Sequence, residues 1–260
     1  MRERDWRTKL RSRGAGGSRH GAPRERQTDV VLYGWHSVTA ALANPARHIR
    51  RLLATENALR RLNDEGIALP KALEIVRPGA IAARLTPDAV HQGLYAETDP
   101  LPSPDIETLP AAGLVLVLDQ ITDPHNVGAI LRSAAAFGAT AVVVQDRHAP
   151  SESGVLAKAA SGALDSVPYV EVVNIARALE QLGEHEFWRI ALAGDGEAAL
   201  GDASREGDIA LVLGSEGSGI RRLVRERCDV SAFIPIDSST ESLNVSNAGA
   251  VALYELRRAH

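Results

Sequence analysis

The second half of the chain alternates between short apolar runs and amphipathic segments. Runs of strand length lie at 114–118, 141–144 and 209–213, and segments of helical length separate them. A near-continuous apolar run is typical of a strand that is covered on both faces. Regular alternation of such strands with helices predicts an α/β fold with a parallel sheet. The expected strands of this region are 114–118, 141–144, 169–173, 188–193, 209–213 and 232–236, and the expected helices are 127–137, 151–160, 175–182, 220–227 and 248–258.

A shorter α/β pattern precedes this region. Its expected strands are 30–33, 49–55 and 93–96, its expected helices are 35–42 and 57–64, and a turn is expected at 84–88. Pro100, Pro102 and Pro104 then fall within five residues, which neither a helix nor a central strand tolerates. We therefore expect a small α/β domain over 30–98, a Pro-rich linker over 99–112 and a larger α/β domain over 113–260.

Composition limits the class of protein. With 45% hydrophobic and only 4% aromatic residues, the core must be largely aliphatic. The single cysteine, Cys228, excludes an internal disulfide and a Cys-based zinc site, and the eight histidines are scattered, so no metal site is expected. No apolar run could span a bilayer, and the N-terminus lacks the apolar stretch of a signal peptide. These features predict a soluble, cytoplasmic protein without membrane partners.

The net charge of −4 is distributed unevenly. Residues 1–29 carry nine Arg or Lys and four Asp or Glu, so this segment is +5 and the remainder is −9. A basic, Gly-rich segment with few aromatics cannot bury enough surface to fold alone, so we expect a disordered tail. It is either a solvated extension or a loose tether for nucleic-acid phosphates. The acidic remainder indicates that any nucleic-acid site there is a local patch.

One glycine motif resembles a dinucleotide-binding fingerprint. Residues 194–199 match G-x-G-x-x-A after an expected strand, and Glu216 lies about 20 residues beyond it. The fingerprint requires a full crossover helix, but Gly201 and Gly207 interrupt the stretch that follows. A plain turn is therefore favoured over a nicotinamide site. The glycine loop at 214–219 also lacks the Lys-Ser/Thr pair of a phosphate-binding P-loop.

Three polar segments stand out as candidate binding elements. Residues 123–128 lead into the expected helix that carries Arg132, and residues 213–219 hold Glu216 among three glycines at the end of an expected strand. Residues 242–247, Ser-Leu-Asn-Val-Ser-Asn, precede the last expected helix. One helix needs only one N-cap, so the surplus of uncharged hydrogen-bonding groups indicates a site for a polar ligand.

Each of these segments also has a structural interpretation. Asn126 could simply cap its helix, and Arg132 could be an ordinary surface arginine. A glycine within a first helical turn costs about 1 kcal/mol relative to alanine, so a ligand or partner backbone is expected to approach Gly128 closely. The glycines beside Glu216 predict either unusual backbone angles, a contact between main chain and ligand, or only a flexible turn.

Taken together, the three segments resemble the motifs of the SPOUT superfamily of RNA methyltransferases, in the TrmH branch that methylates ribose 2′-hydroxyls. The matching residues are Asn126-x-Gly128-x-x-x-Arg132, the run 213–217, and 234–236 followed by 242–246. The run 122–126, together with 33–38 and 91–93, is similar to the bacterial RlmB group. That group carries a small RNA-binding domain and methylates a guanosine in large-subunit ribosomal RNA. A tRNA substrate stays open as the alternative.

The resemblance implies a fold and a cofactor that the residue pattern alone does not. The fold would be an α/β domain with a C-terminal trefoil knot, a feature almost absent from other proteins. S-adenosylmethionine would be the methyl donor, and Gly214, Ile234 and Leu243 would line its pocket by matching position. The family is dimeric and shares its sites across the interface, so the last helix and the first motif would supply contacts in a homodimer.

The resemblance also implies catalytic roles. Arg132 would act on the ribose hydroxyl, either as the base or by stabilising negative charge on its oxygen. Because a guanidinium is essentially always protonated, stabilisation of negative charge is favoured over proton removal. Asn126, Ser242 and Asn244 would orient ribose, phosphate or Arg132. Glu216 would order the cofactor loop or pair with Arg132. A non-catalytic RNA-binding protein is disfavoured because all of these residue types are present.

Overall fold

The computed structural model describes residues 30–109, 112–150, 152–203 and 207–259. The basic segment 1–29, expected to be a disordered tail, lies outside the described residues. Two sheets form the frame of the described part of the chain.

The first sheet has four strands in the order β1-β4-β2-β3. β4 pairs antiparallel with β1 and β2, and β2 pairs parallel with β3. The strands are β1 Val30–Tyr33, β2 Ile49–Ala54, β3 Leu73–Ile75 and β4 Leu94–Thr98, and the helices are α1 Trp35–Ala43, α2 Glu56–Asp64 and α3 Pro78–Ala82. β3 and α3 were not expected, because a three-residue strand and a five-residue helix are too short to show a periodicity.

The second sheet has seven strands, all parallel, in the order β7-β6-β5-β10-β8-β11-β9. The predicted α/β fold with a parallel sheet is thus confirmed. Its strands are β5 Leu114–Asp119, β6 Ala141–Gln145, β7 Tyr169–Val172, β8 Trp188–Leu192, β9 Ala198–Ala199, β10 Ile209–Gly214 and β11 Val230–Phe233. Its helices are α4 Pro124–Ala136, α5 Gly154–Ala160, α6 Ile175–Glu184, α7 Leu200–Ala203, α8 Arg222–Arg225 and α9 Val245–Ala259.

Helices cover both faces of this sheet, as the apolar runs predicted. In β5, Leu116 and Leu118 belong to one buried cluster, whereas Val115 and Val117 belong to the cluster on the opposite face. Successive side chains of a strand point to opposite faces, so a strand buried on both sides needs apolar residues throughout.

Two expected boundaries were wrong near the C-terminus. β11 ends at Phe233 rather than at residue 236, because Pro235 has no N–H to donate to a neighbouring strand. Helix α9 begins at Val245 rather than at residue 248, because the Asn244 side chain accepts a hydrogen bond from the backbone N–H of Ser246 at 2.9 Å.

The expected linker lies against the larger sheet. The backbone N–H of Leu101 donates to the carboxylate of Glu152 at 2.9 Å, and the N–H of Glu171 donates to the hydroxyl of Ser103 at 2.8 Å. Farther along, Ile106–Thr108 form a single 3-10 turn. In the part of the chain that the structure describes, no helix is long and apolar enough to cross a membrane.

Candidate active site

The ends of β5 and β10 lie side by side at the carboxyl edge of the larger sheet. Gly214, the last residue of β10, pairs in register with Asp119, the last residue of β5. Helix α9 is held close to this edge, since a Cβ at Gly249 would lie 3.1 Å from a methyl of Leu213 and 3.7 Å from Ile130 of α4. The fold therefore brings all three candidate segments to the edge where open α/β sheets bind ligands.

Asn126, Glu216 and Asn244 form one hydrogen-bonded cluster at this edge. The Asn244 side-chain N–H group donates to the Glu216 carboxylate at 2.6 Å and to the Asn126 side-chain oxygen Oδ1 at 3.1 Å. The Asn126 side chain in turn donates to the same Glu216 oxygen at 3.3 Å. Each residue comes from a different candidate segment. Glu216 and Asn244 are exposed and Asn126 is half-buried, so the cluster is accessible to a polar ligand.

Asn126 is available for this cluster because another residue caps its helix. Helix α4 begins at Pro124, and the Asp123 carboxylate accepts a hydrogen bond from the His125 N–H at 2.9 Å. The interpretation of Asn126 as a helix cap is therefore wrong. A proline in the first turn needs no N–H partner there, which is why α4 starts earlier than the apolar pattern indicated.

Asn244 caps α9 and joins the cluster at the same time. Its side-chain oxygen Oδ1 accepts from the backbone N–H of Ser246 at 2.9 Å and from the Ser246 hydroxyl at 2.6 Å. Its amide nitrogen is left free to hold Glu216. Ser242 is exposed, and its hydroxyl has no hydrogen-bond partner among the described residues. The structure thus places Ser242 near the start of α9 without bringing it into the cluster.

The glycine loop after β10 has a defined, tightly folded backbone. Gly217 and Gly219 have φ angles of 84° and 65°, which side chains other than glycine rarely adopt. A Cβ at Gly214 would lie 2.2 Å from the carbonyl carbon of Gly219, so only glycine fits where the loop returns. The hydroxyls of Ser215 and Ser218 are 2.6 Å apart and close the loop further. Of the interpretations offered for these glycines, the unusual backbone angles are present.

An ion pair that the sequence interpretation missed anchors the end of this loop. Asp119 is completely buried, and it accepts from the backbone N–H of Arg221 at 2.9 Å and from its Nε at 2.8 Å. The Arg221 guanidinium also donates to the Gln145 side chain at 3.0 Å. The available signal was an aspartate that ends an otherwise apolar strand, where a buried charge requires a partner.

Arg132 lies apart from the cluster. It is exposed on α4, and it has no hydrogen-bond or ion-pair partner among the described residues. Six residues of helix separate it from Asn126, so the two side chains leave α4 in directions about 120° apart. The expected pairing of Glu216 with Arg132 is absent within this chain, because the Glu216 carboxylate is engaged by Asn126 and Asn244.

Gly128 is approached closely by backbone, as expected, but not by that of a ligand or a partner. A Cβ at this position would lie 2.4 Å from the Ala159 Cβ and 2.8 Å from the Ala160 nitrogen. The backbone that approaches Gly128 therefore belongs to α5 of the same chain and not to a ligand or a partner. The glycine allows α4 and α5 to pack in close contact.

The fingerprint-like glycines form a turn. Gly194 and Asp195 lie in the turn after β8, and only the four-residue helix α7 follows before residue 204. A Cβ at Gly196 would lie 2.4 Å from the carbonyl carbon of Ala232, so this glycine permits close packing on β11. A crossover helix of the dinucleotide-binding type is absent from the described residues.

The expected cofactor-lining residues Ile234 and Leu243 lie at the two ends of the segment that joins β11 to α9. Ile234 follows β11, and Leu243 immediately precedes the cap of α9; both are half-buried. Apart from the adjacent residues, no heavy atom of the described part of the chain lies within 4 Å of an added Cβ at Gly217 or Gly219.

The fold and the site define an α/β protein with a seven-stranded parallel sheet, whose candidate site is assembled from the three segments that resemble TrmH-branch motifs. The chain belongs to the SpoU rRNA methylase family, whose model matches residues 113–254. A second model, described as an RNA 2′-O ribose methyltransferase substrate-binding domain, matches residues 31–104. The family membership inferred from the motifs is thereby confirmed.

Relatives and solved structures are similar over most of the chain. A 23S rRNA (guanosine-2′-O-)-methyltransferase RlmB from Xylella fastidiosa is 41% identical, over 87% of this chain and 95% of the relative. A Porphyromonas gingivalis structure described as a TrmH-family RNA methyltransferase has a TM-score of 0.75 at 29% identity, covering 90% of this chain and 92% of that one. The SpoU methyltransferase AviRb from Streptomyces viridochromogenes, solved with S-adenosylmethionine, has a TM-score of 0.76 at 23% identity, covering 90% and 91%. At that identity, the last comparison supports the fold.

Proposed function

We propose that this protein transfers a methyl group from S-adenosylmethionine to the ribose 2′-hydroxyl of a guanosine in 23S ribosomal RNA. The observation that carries the proposal is the 41% identity to an RlmB enzyme over 87% of the chain. The cluster of Asn126, Glu216 and Asn244 supports it, since three separate motifs meet in one site. Because the proposed substrate is ribosomal RNA, we place the protein in the cytoplasm.

The donor would bind at the loop after β10. Gly214, Ile234 and Leu243 would line its pocket, with the open backbone at Gly217 and Gly219 available for hydrogen bonds. When bound, S-adenosylmethionine supplies a methyl group on a sulfonium, which is a good leaving group. The protein's own contribution is to hold this loop rigid, through the Glu216 contacts on one side and the Asp119–Arg221 pair on the other.

Arg132 would stabilise the nucleophile. A ribose hydroxyl is a weak acid, and negative charge grows on its oxygen as the methyl group is transferred. A fixed guanidinium aimed at that oxygen lowers the energy of this charge. Because guanidinium groups stay protonated, we assign Arg132 electrostatic stabilisation rather than proton removal. Asn126, Asn244 and Ser242 would orient the ribose and its phosphate, a contribution of the positioning kind.

A second copy of the chain would complete the site. Val251 and Tyr254 of α9 are 43% and 56% exposed, and they lie three residues apart on one helical face. The Tyr254 ring packs edge-on against Phe137, which follows α4, with centroids 6.2 Å apart. Arg132 leaves α4 away from Asn126, so it could serve the cluster of a partner subunit. We therefore propose a homodimer through α4 and α9, which light scattering of the wild type and of Tyr254→Arg would test.

The C-terminal segment would form the trefoil knot of the family. Two observations support this proposal. Residues 234–244 leave the end of β11 and return to the loop after β10, where Asn244 meets Glu216. Helix α9 then packs against α4 and β10. Tracing the chain through residues 213–245 in an experimental density map would test the proposed threading.

RNA would be held mainly by the N-terminal half. Residues 30–98 carry eight Arg or Lys against six Asp or Glu, whereas residues 99–260 carry a net charge of −11. Phosphate contacts dominate the affinity of proteins for nucleic acids, so the basic regions are the better candidates for binding. We propose that residues 30–98 form the substrate-binding domain, with the tail 1–29 as a tether and 99–112 as the linker to a methyltransferase domain over 113–260.

Mapping ribose methylation in a deletion strain tests the function. We expect one guanosine of 23S ribosomal RNA to lose its 2′-O-methyl group, and a plasmid copy of the gene to restore it. Loss of a methyl group in tRNA instead would favour the alternative, a tRNA ribose methyltransferase of the same family. An unchanged pattern in both RNAs would contradict the proposal.

A further inference from the structure

Arg47 is buried where the two halves of the chain meet. Its side chain has no exposed surface, although its chain neighbours Ala46 and His48 are exposed. The guanidinium Nε donates to the Asp165 carboxylate at 2.9 Å, and Nη1 donates to the backbone carbonyl of Asp99 at 3.1 Å. Nη1 also forms an ion pair with Glu152. A single side chain of the smaller domain thus binds the linker and two acidic residues of the larger domain.

The two carboxylates flank α5. Glu152 lies just before this helix, and Asp165 lies in the 3-10 turn that follows it. Asp165 also accepts a hydrogen bond from the Asn44 side chain at 3.1 Å, and Glu152 accepts one from the linker N–H of Leu101 at 2.9 Å. Removing one member of such a buried set leaves charge without compensation, so the contact resists opening.

Helix α5 is also packed tightly against the smaller domain. A Cβ at Gly154 would lie 2.7 Å from the carbonyl oxygen of Val31, and a Cβ at Gly162 would lie 2.9 Å from that of His36. The Ser37 hydroxyl donates to the Ala157 carbonyl at 3.0 Å. No side chain can enter at these points, so the two surfaces leave little room to slide.

The opposite side of α5 touches α4, which carries Asn126 and Arg132. Gly128 of α4 allows the backbone of Ala159 and Ala160 to approach, as described above. Helix α5 is therefore packed between the four-stranded sheet and the helix of the candidate active site.

We infer that Arg47 is a positioning residue that fixes the substrate-binding domain relative to Arg132. The inference rests on the proposed function for its substrate, an RNA that contacts both domains. With the spacing fixed, RNA held by residues 30–98 presents one ribose to Arg132, and the entropy of orienting the domains is removed before binding. Arg47 itself touches neither the glycine loop nor the Asn126 cluster.

The first test measures the domain spacing and needs no activity. Spin labels at Arg60→Cys on α2 and Glu184→Cys on α6, both exposed positions, are introduced into the full chain with Cys228 replaced by alanine. Pulsed electron resonance then gives the distance distribution between the labels. With the labelled chain diluted into excess unlabelled chain, so that only distances within one chain are measured, we expect one narrow distribution without further substitution and a broad one in Arg47→Ala. Arg51→Ala is the matched control, because Arg51 forms an exposed pair with Glu74 inside the smaller domain.

The second test separates RNA binding from chemistry. In Arg47→Ala, we expect KM for 23S ribosomal RNA to rise by about tenfold, while kcat changes by less than about threefold and the Kd for S-adenosylmethionine is unchanged. Should Arg47→Ala fail to fold, Asp165→Asn replaces it, since this change leaves Arg47 balanced by Glu152. In Asp165→Asn, we expect KM for 23S ribosomal RNA to rise as well, but by less than in Arg47→Ala.

A distance distribution in the Arg47 and Asp165 variants as narrow as in the control would overturn the inference. So would a loss confined to kcat. Failure of methyl transfer in the wild-type protein, with a broadened distance distribution in Arg47→Ala, would instead contradict the proposed function and leave the positioning role standing.

Discussion

The guanidinium of Arg221 meets the carboxylate of Asp119 at the point where the glycine loop rejoins the sheet. Backbone N–H and side-chain Nε of the arginine bind the two oxygens of the aspartate at 2.9 and 2.8 Å. The aspartate is fully buried, whereas the arginine side chain keeps 38% of its surface exposed. This pair ties the end of the proposed donor loop to the strand beside it.

Substitution of Arg221 should therefore destabilise the protein. Arg221→Ala leaves the buried Asp119 without a partner, and we expect the free energy of unfolding to fall by about 3 kcal/mol. Arg222→Ala is the matched control, because Arg222 forms an exposed pair with Glu226 one turn later, worth below about 1 kcal/mol. Urea unfolding measures both changes. Equal losses of stability in Arg221→Ala and Arg222→Ala would show that the buried Asp119–Arg221 pair does not stabilise the fold more than an exposed pair does.

The contact between α4 and α5 predicts a contrast between two helical glycines. Gly128→Ala should destabilise the protein by about 1–3 kcal/mol, because the added methyl overlaps Ala159 and Ala160. Gly79→Ala in α3 meets no atom within 4 Å and should be neutral or stabilising by up to about 1 kcal/mol. Thermal unfolding of the two variants measures both changes in stability. An unchanged stability of Gly128→Ala would contradict the close packing of α4 on α5.

Asn244 has two functions that substitution can separate. Asn244→Ala removes the cap of α9 and should cost about 1 kcal/mol of stability. Asn244→Ser retains a capping oxygen, so its stability should stay close to that of the wild type, but the shorter side chain cannot hold Glu216. We expect hydrogen exchange of amides 215–219 to accelerate in both variants. Protection of the loop in Asn244→Ser equal to the wild type would show that Glu216 does not order it.

The environment of Glu152 predicts a pH dependence of stability. Burial raises the pKa of its carboxyl above the usual 4.5, and the neighbouring Arg47 offsets only part of this effect. A raised pKa in the folded state means that folding takes up a proton, so the contribution of Glu152 to stability is greatest at low pH. The wild type should therefore lose stability relative to Glu152→Gln as the pH rises from 4.5 toward neutral. Urea unfolding across this range measures the difference, and a constant or growing advantage of the wild type would contradict it.

The sequence predicted most of the fold because its strands are apolar on both faces. β5 and β10 were identifiable as uninterrupted runs, and β1 was predicted with its correct bounds, 30–33. The elements that were missed, such as β3 and α7, are three and four residues long and show no period of their own. The first residues of α4 and α9 were predicted wrongly, because the side-chain caps Asp123 and Asn244 determine where these helices begin.

The residues of the candidate site could be predicted from the sequence, but the hydrogen bonds between them could not. The motifs identified Asn126, Glu216 and Asn244, but their mutual hydrogen bonds depend on how β10, α4 and α9 pack, which no spacing encodes. Asp119 and Arg221 lie 102 residues apart, so their pairing appears only in three dimensions. The sequence also gave no sign that α5, rather than a ligand, occupies the space beside Gly128.

The central claim is that this chain methylates a ribose in 23S ribosomal RNA with Arg132 at the reacting oxygen. The most direct test is transfer of tritiated methyl from S-adenosylmethionine to 23S ribosomal RNA isolated from a deletion strain, with isothermal titration of the donor alongside. The account predicts label in one guanosine 2′-O-methyl group with the wild type. With Arg132→Ala, it predicts no transfer and nearly unchanged donor affinity. Near-normal transfer by Arg132→Ala, or no label in 23S ribosomal RNA with the wild type, would contradict it.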